Sequence, residues 1–267
     1  MPVVSTNTAA NSAVRFLNVN SQAASTSVSK LASGSRIVRA SDDAAGLAIS
    51  TKLTADTTVL KQAAVNASQG ASVLQVGDGA LARIADVLQR LKALAAQSLS
   101  GAVQDAERAF INAEYSQLNT EITDIIADTK FNGQQIVNTY SQNYLVGTAA
   151  GDTIDINLNT LTAVAGPGGN VSTTGTATTA LGAIDTQLTN VSTQRATLGA
   201  LVSRFETREQ AINTSVENIE AANSTIKDVD LASEQSRLVT ANVLVQAAVS
   251  ALSQANSIPQ QLLRVLQ

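Results

Sequence analysis

The sequence predicts a mainly α-helical protein: an elongated antiparallel helical rod, with N- and C-terminal coiled-coil helices and a small β-hairpin patch. Three observations carry this expectation. Near the N-terminus, Ala10, Val14, Leu17, Ala24, Val28 and Leu31 recur in alternating steps of three and four, with only Ser21 interrupting. Near the C-terminus, Leu231, Leu238, Val245 and Leu252 repeat every seven residues, shadowed by Ala241, Ala248 and Ala255. Between the two ends the helical pattern is lost once, across residues 134–180, where Thr, Gly, Val and Asn dominate. Stripes as narrow as the terminal ones are seams that require partner helices. A chain with such a helix at each extremity is built to assemble.

The elements follow in order. The first helix breaks at Ala32-Ser33-Gly34-Ser35, and Ser41-Asp42-Asp43 signals the start of the next, because acids near a helix start favour the positive end of its dipole. In that second helix Leu74, Leu81, Ile84, Leu88, Leu91 and Ala95 keep heptad spacing. As one helix, residues 44–99 would be about 84 Å long at the standard rise, which suits a rod. Ser100-Gly101 turns the chain, and Ile111, Tyr115, Leu118, Ile122 and Ile125 mark a returning helix that ends near Lys130. Phe131-Asn132-Gly133 reads as a turn. In the patch, Tyr144-Leu145-Val146 and the alternating 154–158 segment read as short strands, and 166–170 as an exposed turn. Heptads resume from Leu181 through Ile184, Leu188, Val191, Leu198, Val202, Phe205, Ile212, Val216 and Ile219, with Arg195 and Glu209 interrupting. A break over 223–230 precedes the C-terminal helix, which Pro259 kinks or restarts. Residues 1–40 with 228–267 then form a terminal-helix domain, and residues 41–227 a helical rod domain that includes the β patch.

Composition narrows the chemistry. The chain has 267 residues, 44% hydrophobic but only 3% aromatic, without Trp. An apolar fraction made of Ala, Val, Leu and Ile suits slender seams better than a thick core. There is no His and no Cys, so imidazole bases, thiol nucleophiles, Cys/His zinc sites and disulfides are excluded. A net charge of −4 gives no electrostatic reason to expect nucleic acid. No uninterrupted apolar run approaches the roughly 20 residues that span a bilayer, so no membrane insertion is expected. The N-terminus carries no signal-peptide pattern. Asp42 and Asp43, with no His or second carboxylate cluster beside them, read as helix capping rather than acid–base machinery. Gly77-Asp78-Gly79 lacks the rest of a phosphate loop and sits inside a heptad run, which points to close helix packing. No catalytic, cofactor-binding or metal-ligating residue emerges, and no cofactor is expected.

Linked blocks of residues resemble one known family. Residues 29–37 (Ser-Lys-Leu-Ala-Ser-Gly-Ser-Arg-Ile) and 40–49 (Ala-Ser-Asp-Asp-Ala-Ala-Gly-Leu-Ala-Ile) look like the N-terminal signature of bacterial flagellin. Gly79-Ala80-Leu81, Leu88-Gln89-Arg90, Leu94-Ala95 and Thr129-Lys130-Phe131-Asn132-Gly133 match its later blocks. Arg195-Ala196, Leu198-Gly199-Ala200, Arg204-Phe205-Glu206, Asp228-Val229-Asp230 and Gln254-Ala255-Asn256 match its C-terminal half. The likeness covers residues 1–136 and 181–267. The segment between is too short for large outer domains.

The resemblance implies a structural subunit, not an enzyme, that is exported and polymerises into the flagellar filament for swimming motility. It implies secretion to the cell exterior and self-association as a helical homopolymer. It also implies transient dealings with the flagellar export apparatus, an export chaperone, the filament cap and hook–filament junction proteins. Filament-core packing is expected at Val14, Leu17, Val28, Leu31, Leu238, Val245 and Leu252. A hook–filament junction protein shares the same terminal logic and is the alternative. The family further implies that Gln89, Arg90, Leu94 and Glu114 serve a rod interface and contact an innate immune receptor. Ala93 stands where strongly recognised members carry an acid, so weak recognition is expected.

Overall fold

The computed structural model describes residues 7–159 and 163–265, and of 258–265 the backbone alone. Its helices are α1 (Thr8–Ser33), α2 (Ala44–Ser98), α3 (Asp105–Asp128), α4 (Thr174–Lys227) and α5 (Leu231–Val265). Between α3 and α4 lie β1 (Lys130–Phe131), β2 (Gln134–Gln135), β3 (Ser141–Leu145) and β4 (Thr153–Asn157). The protein is thus mainly α with a small antiparallel β patch, as the sequence predicts. The chain forms two compact units, Met1–Ala55 with Asn218–Gln267, and Asp56–Glu217. In this grouping residues 41–55 and 218–227 go with the terminal helices.

In the first unit α1 and α5 are antiparallel neighbours. Asn7, whose side chain caps α1 by accepting from the Ala10 N–H, also donates Nδ2 to the Ala255 carbonyl at 2.8 Å. Toward the other end, Ser27 Oγ donates to Glu234 Oε1 at 2.6 Å, both residues buried. Gly34 ends α1 in the left-handed conformation, φ 67°, where a side chain would be strained. The chain then crosses the 228–230 break: Arg36 N–H donates to Lys227 O, and Val229 N–H to Gly34 O. Asp42 does not enter the first turn of α2. It accepts the Val38 and Arg39 N–H groups, which hold its carboxyl below the usual range, while Asp43 caps α2 through the Gly46 N–H.

The second unit has a full core. Leu74, Leu81, Ile84, Leu88, Leu91 and Ala95 are all buried, together with Tyr115 and Ile122 of α3 and Ile184, Val191, Leu198, Phe205, Ile212 and Val216 of α4. The heptad reading of α2 and α4 therefore holds. Gly70 is where Phe205 lies against the backbone of α2: a Cβ there would come within 2.7 Å of the ring. Tyr144 meets Phe205 edge-on, with centroids 5.7 Å apart. Exposed ion pairs align the helices: Lys92 with Asp185 at 2.5 Å, and Arg195 with Asp78 at 2.8 Å. Arg195, which interrupts the seam in sequence, is thus a bridge between α2 and α4, and Asp78 is its partner rather than part of a phosphate loop.

The patch has local causes. Asn132 and Gly133 take φ 49° and 78°, the two-residue turn that joins β1 to β2 antiparallel. β3 pairs antiparallel with β4, Tyr144 opposite Ile154. On β4, Ile154 and Ile156 point inward while Asp155 faces water, the alternation read from sequence. Three boundaries move. α4 begins at Thr174 rather than Leu181, helped by Thr173, whose side chain accepts the Thr176 N–H. Helix α4 also runs through 223–227 before it breaks, and α5 continues through Pro259 without restarting. The 166–170 turn is docked, not free: the Tyr115 hydroxyl donates to Gly168 O, and Gly168 N–H donates to Asn119 Oδ1. Residues 1–6 and 266–267 of the expected terminal domain, and 160–162 of the patch, lie outside the described residues.

Candidate assembly surface

The α1–α5 pair turns its small residues inward and many of its large ones outward. On α5 the layer against α1 is Ala241, Ala248 and Ala255, buried, with Leu238, Val245 and Leu252 half-buried. That is the seam the heptads predict, except that Leu231 at its start is exposed. On α1 the phase differs from the expectation. Ala10, Ala13, Leu17, Asn20, Ala24, Ser27 and Leu31 are among the covered positions, whereas Val14 and Val28 are 40% and 51% exposed. The reason is local shape. Small and polar side chains let the two backbones approach and let Ser27 reach Glu234, so the bulkier valines rotate out. Phe16, 56% exposed, and Val19 are also uncovered on α1, as are Val239, Val243, Leu244 and Val249 on α5. Arg15 lies over the Phe16 ring at 5.4 Å, a cation–π contact at the surface.

The segment Leu231–Ser257 has a mean hydropathy of 1.4 and is long and apolar enough to cross a membrane. This corrects the expectation drawn from uninterrupted runs: Thr240, Asn242, Gln246, Ser250 and Gln254 break each run without making the helix polar. The buried carboxylate of Glu234 lies within that segment, a group a bilayer interior accommodates at high cost.

On the second unit, Arg90 donates Nε and Nη2 to Glu114 Oε1 at 2.8 and 2.6 Å, so α2 and α3 are pinned by an ion pair whose side chains remain 57% and 45% exposed. Gln89 is exposed beside it. Leu94 is not part of that surface: it is 2% exposed and belongs to the core. Its heptad phase matches Leu91 and Ala95, and that phase turns it inward. The expected four-residue patch is therefore Gln89, Arg90 and Glu114.

Sequence reasoning missed two polar joints. Arg108, buried in α3, donates Nε to Ser98 O and Nη1 to Asp105, and Ser98 Oγ donates to Val171 O. These close the α2–α3 turn onto the irregular segment leading to α4. A lone Arg between Ala and Glu in a helical stretch offers no signal of burial. Ser27 with Glu234 is the other joint, and the acid among α5's few charges is the only hint of it. Among the described residues no group of acids is placed to hold a metal ion.

The comparisons with known proteins decide between the readings. The model of the bacterial flagellin N-terminal helical region matches residues 4–142, and that of the C-terminal helical region matches 181–266. This chain belongs to the bacterial flagellin family. A flagellin of Halalkalibacterium halodurans is 36% identical over 99% of both chains. A flagellar filament core protein of Brachyspira hyodysenteriae is 34% identical over 99% of this chain and 100% of its own, and a Listeria innocua flagellin is 32% identical over 98% and 99%. A crystal structure of Bacillus cereus flagellin covers 60% of this chain and 94% of its own, at 27% identity and a TM-score of 0.49. Full-length agreement with relatives of this size makes the chain a short flagellin without large outer domains, and a structural subunit of the flagellar filament. The family is a structural one, and the filament it forms is extracellular.

Proposed function

We propose that the α1–α5 pair is the element through which this flagellin polymerises, and that neighbouring copies cover its outward valines, leucines and Phe16. The single observation that carries this is the inversion of the pair: alanines inside, larger apolar side chains outside. At roughly 25 cal/mol per Å² of apolar area, an alanine seam offsets little of the ordering entropy of two helices. Neighbours in a filament supply what the seam lacks, so ordering of the ends is coupled to assembly. Leu17, Leu31, Leu238, Val245 and Leu252 hold the pair together in this reading, while Val14 and Val28 face other copies. The contact is heterologous and open, which generates a helical fibre rather than a closed ring. Covered by helices in this way, α5 needs no lipid.

The same reading places export before assembly. A chain free of cysteine cross-links can thread an export apparatus extended. An export chaperone then shields the apolar face of α5, and folding finishes beneath the filament cap, beyond the hook–filament junction proteins. Electron microscopy of purified protein after seeding tests the central claim. Filaments are expected, together with hydrogen exchange that slows in α1 and α5 on polymerisation. Equal protection of both helices in dilute monomer and filament would overturn coupled ordering, and association with vesicles instead of seeds would return α5 to a membrane role.

A second reading attaches to Gln89, Arg90 and Glu114, whose exposed ion pair suits recognition by an innate immune receptor in the free monomer. With Ala93 beside them and Leu94 buried, activation is expected to be weak. Strong activation in a receptor reporter assay would refute that weakness.

A further inference from the structure

We infer that a cleft between α4 and the β3–β4 hairpin is a socket for the C-terminal end of α3 from a second copy of this chain. The inference rests on the filament reading above and names one of its contacts. The cleft, about 650 Å³, is lined by Arg204 and Arg208 with Ser203, Thr207, Val146 and Thr153. The two arginines sit one helical turn apart on α4, both exposed, and among the described residues no carboxylate pairs with either. Arg208 donates Nε to the Val146 carbonyl at 3.0 Å, which fixes that guanidinium against the hairpin while leaving its other N–H groups free to donate outward. Asp152 also borders the cleft, but one of its oxygens accepts the Ala149 N–H within the hairpin turn. The socket therefore keeps two cations against one engaged carboxylate.

The complementary surface lies on α3. Glu121, Asp124 and Asp128 fall within about 60° of one another around the helix, all exposed, and no ion pair reaches any of them among the described residues. Their placement is unfavourable in the single chain. Asp124 and Asp128 lie in the last turns of α3, at the negative end of its dipole, where no basic residue accompanies them. Like charges one turn apart repel on both helices, Asp124 with Asp128 and Arg204 with Arg208. Docking α3 of one copy into the socket of another relieves both repulsions at once. The spacing matches, because each pair is separated by four residues of helix, about 6 Å of rise. Arg supplies the planar fork that a carboxylate accepts. Socket and stripe are different patches of one chain, so the contact is head-to-tail and leaves a free copy of each patch at the ends, as an open fibre requires.

Charge reversal on the full-length chain tests this, with seeded polymerisation as the readout and circular dichroism to verify the monomer. The variants are Arg204→Glu/Arg208→Glu, Asp124→Lys/Asp128→Lys, and the four changes combined. Each one-sided variant is expected to raise the critical concentration at least about tenfold. The combined variant, and an equimolar mixture of the two one-sided variants, are expected to polymerise near the wild-type concentration. Because Arg208 also holds the hairpin, Arg204→Glu alone is included; it makes no hydrogen bond in the single chain and should fold normally while raising the critical concentration. One-sided variants that fold and polymerise like wild type would overturn the socket, as would folded variants that the combined change fails to rescue. Failure of the wild type itself to polymerise would instead count against the filament reading.

Discussion

The α1–α5 pair and the unit of Asp56–Glu217 draw on the same aliphatic residues and use them in opposite ways. In the second unit Leu74, Leu81, Ile84, Leu88 and Leu91 point inward and meet Tyr115 and Phe205, so the bulkiest side chains are the most buried. In the terminal pair the inward layer is Ala241, Ala248 and Ala255, the polar joint is Ser27 with Glu234, and Phe16, Val19, Val239 and Val243 face out. Each buried methylene contributes about 0.8 kcal/mol, so the second unit gains far more from its core than the terminal pair gains from its alanine layer. On the proposed assembly, a fold divided in this way keeps a packed body in the monomer and leaves its ends to be completed by contact with other copies.

The largest expected effect breaks the terminal side of this comparison alone. On the proposed assembly, Val245→Asp or Leu252→Asp places at a half-buried position a carboxylate that neighbouring copies would then cover, at a cost of several kcal/mol per subunit. Polymerisation should fail by electron microscopy while circular dichroism retains the helices of the second unit. Normal filament growth would contradict the packing assignment. Next comes the reverse experiment. Phe205→Ala should cost about 3–5 kcal/mol in denaturant unfolding of the monomer, since it empties the space against Gly70 and Tyr144. A loss below about 1 kcal/mol would mean the second unit is no better packed than the ends.

A smaller effect sharpens the account of the terminal pair. Ser27→Ala leaves the buried Glu234 without its hydroxyl donor and should cost about 1–3 kcal/mol, while Ser29→Ala, two residues on and bonded to Ser25 O, should be near neutral. If the pair is completed only by neighbours, as proposed, the difference should be read in filament melting. The smallest effect belongs to Arg90. Its exposed pair with Glu114 is worth roughly 0–1 kcal/mol, so Arg90→Ala should barely move monomer stability, and Arg90→Lys even less. If either substitution lowers filament stability or receptor binding by tenfold or more, about 1.4 kcal/mol in free energy, the residue contacts a partner and not solvent alone.

Much of this architecture was legible because periodicity is a local property. The α2 heptads, the Asn132-Gly133 turn, the alternation in β4 and the Gly34 break each follow from a few neighbouring residues and elementary sterics. Phase was less legible. Of the stripe Ala10, Val14, Leu17, Ala24, Val28 and Leu31 the valines are exposed, and Ala13, Asn20 and Ser27 join the other four among the covered positions. Hydrophobicity favoured the valines, and close approach with a hydrogen bond to Glu234 favoured the small residues. Leu94 shows the same limit: one turn beyond exposed Arg90, it is turned inward by about 40° of helix rotation.

What the sequence by itself determined is the class of the molecule. Long helices, a polar β interlude, the absence of His and Cys and the terminal seams leave a structural, self-associating protein, because each excludes or requires an interaction within reach of a few residues. Tertiary structure alone decided which faces are covered within the chain and which stay exposed. It buried Leu94, Arg108 and Glu234, exposed Val14 and Val28, and brought Arg204 and Arg208 beneath a hairpin whose strands lie some fifty residues upstream. Those outcomes depend on the shape of the surface each helix meets, and that surface is contributed by residues distant in the chain.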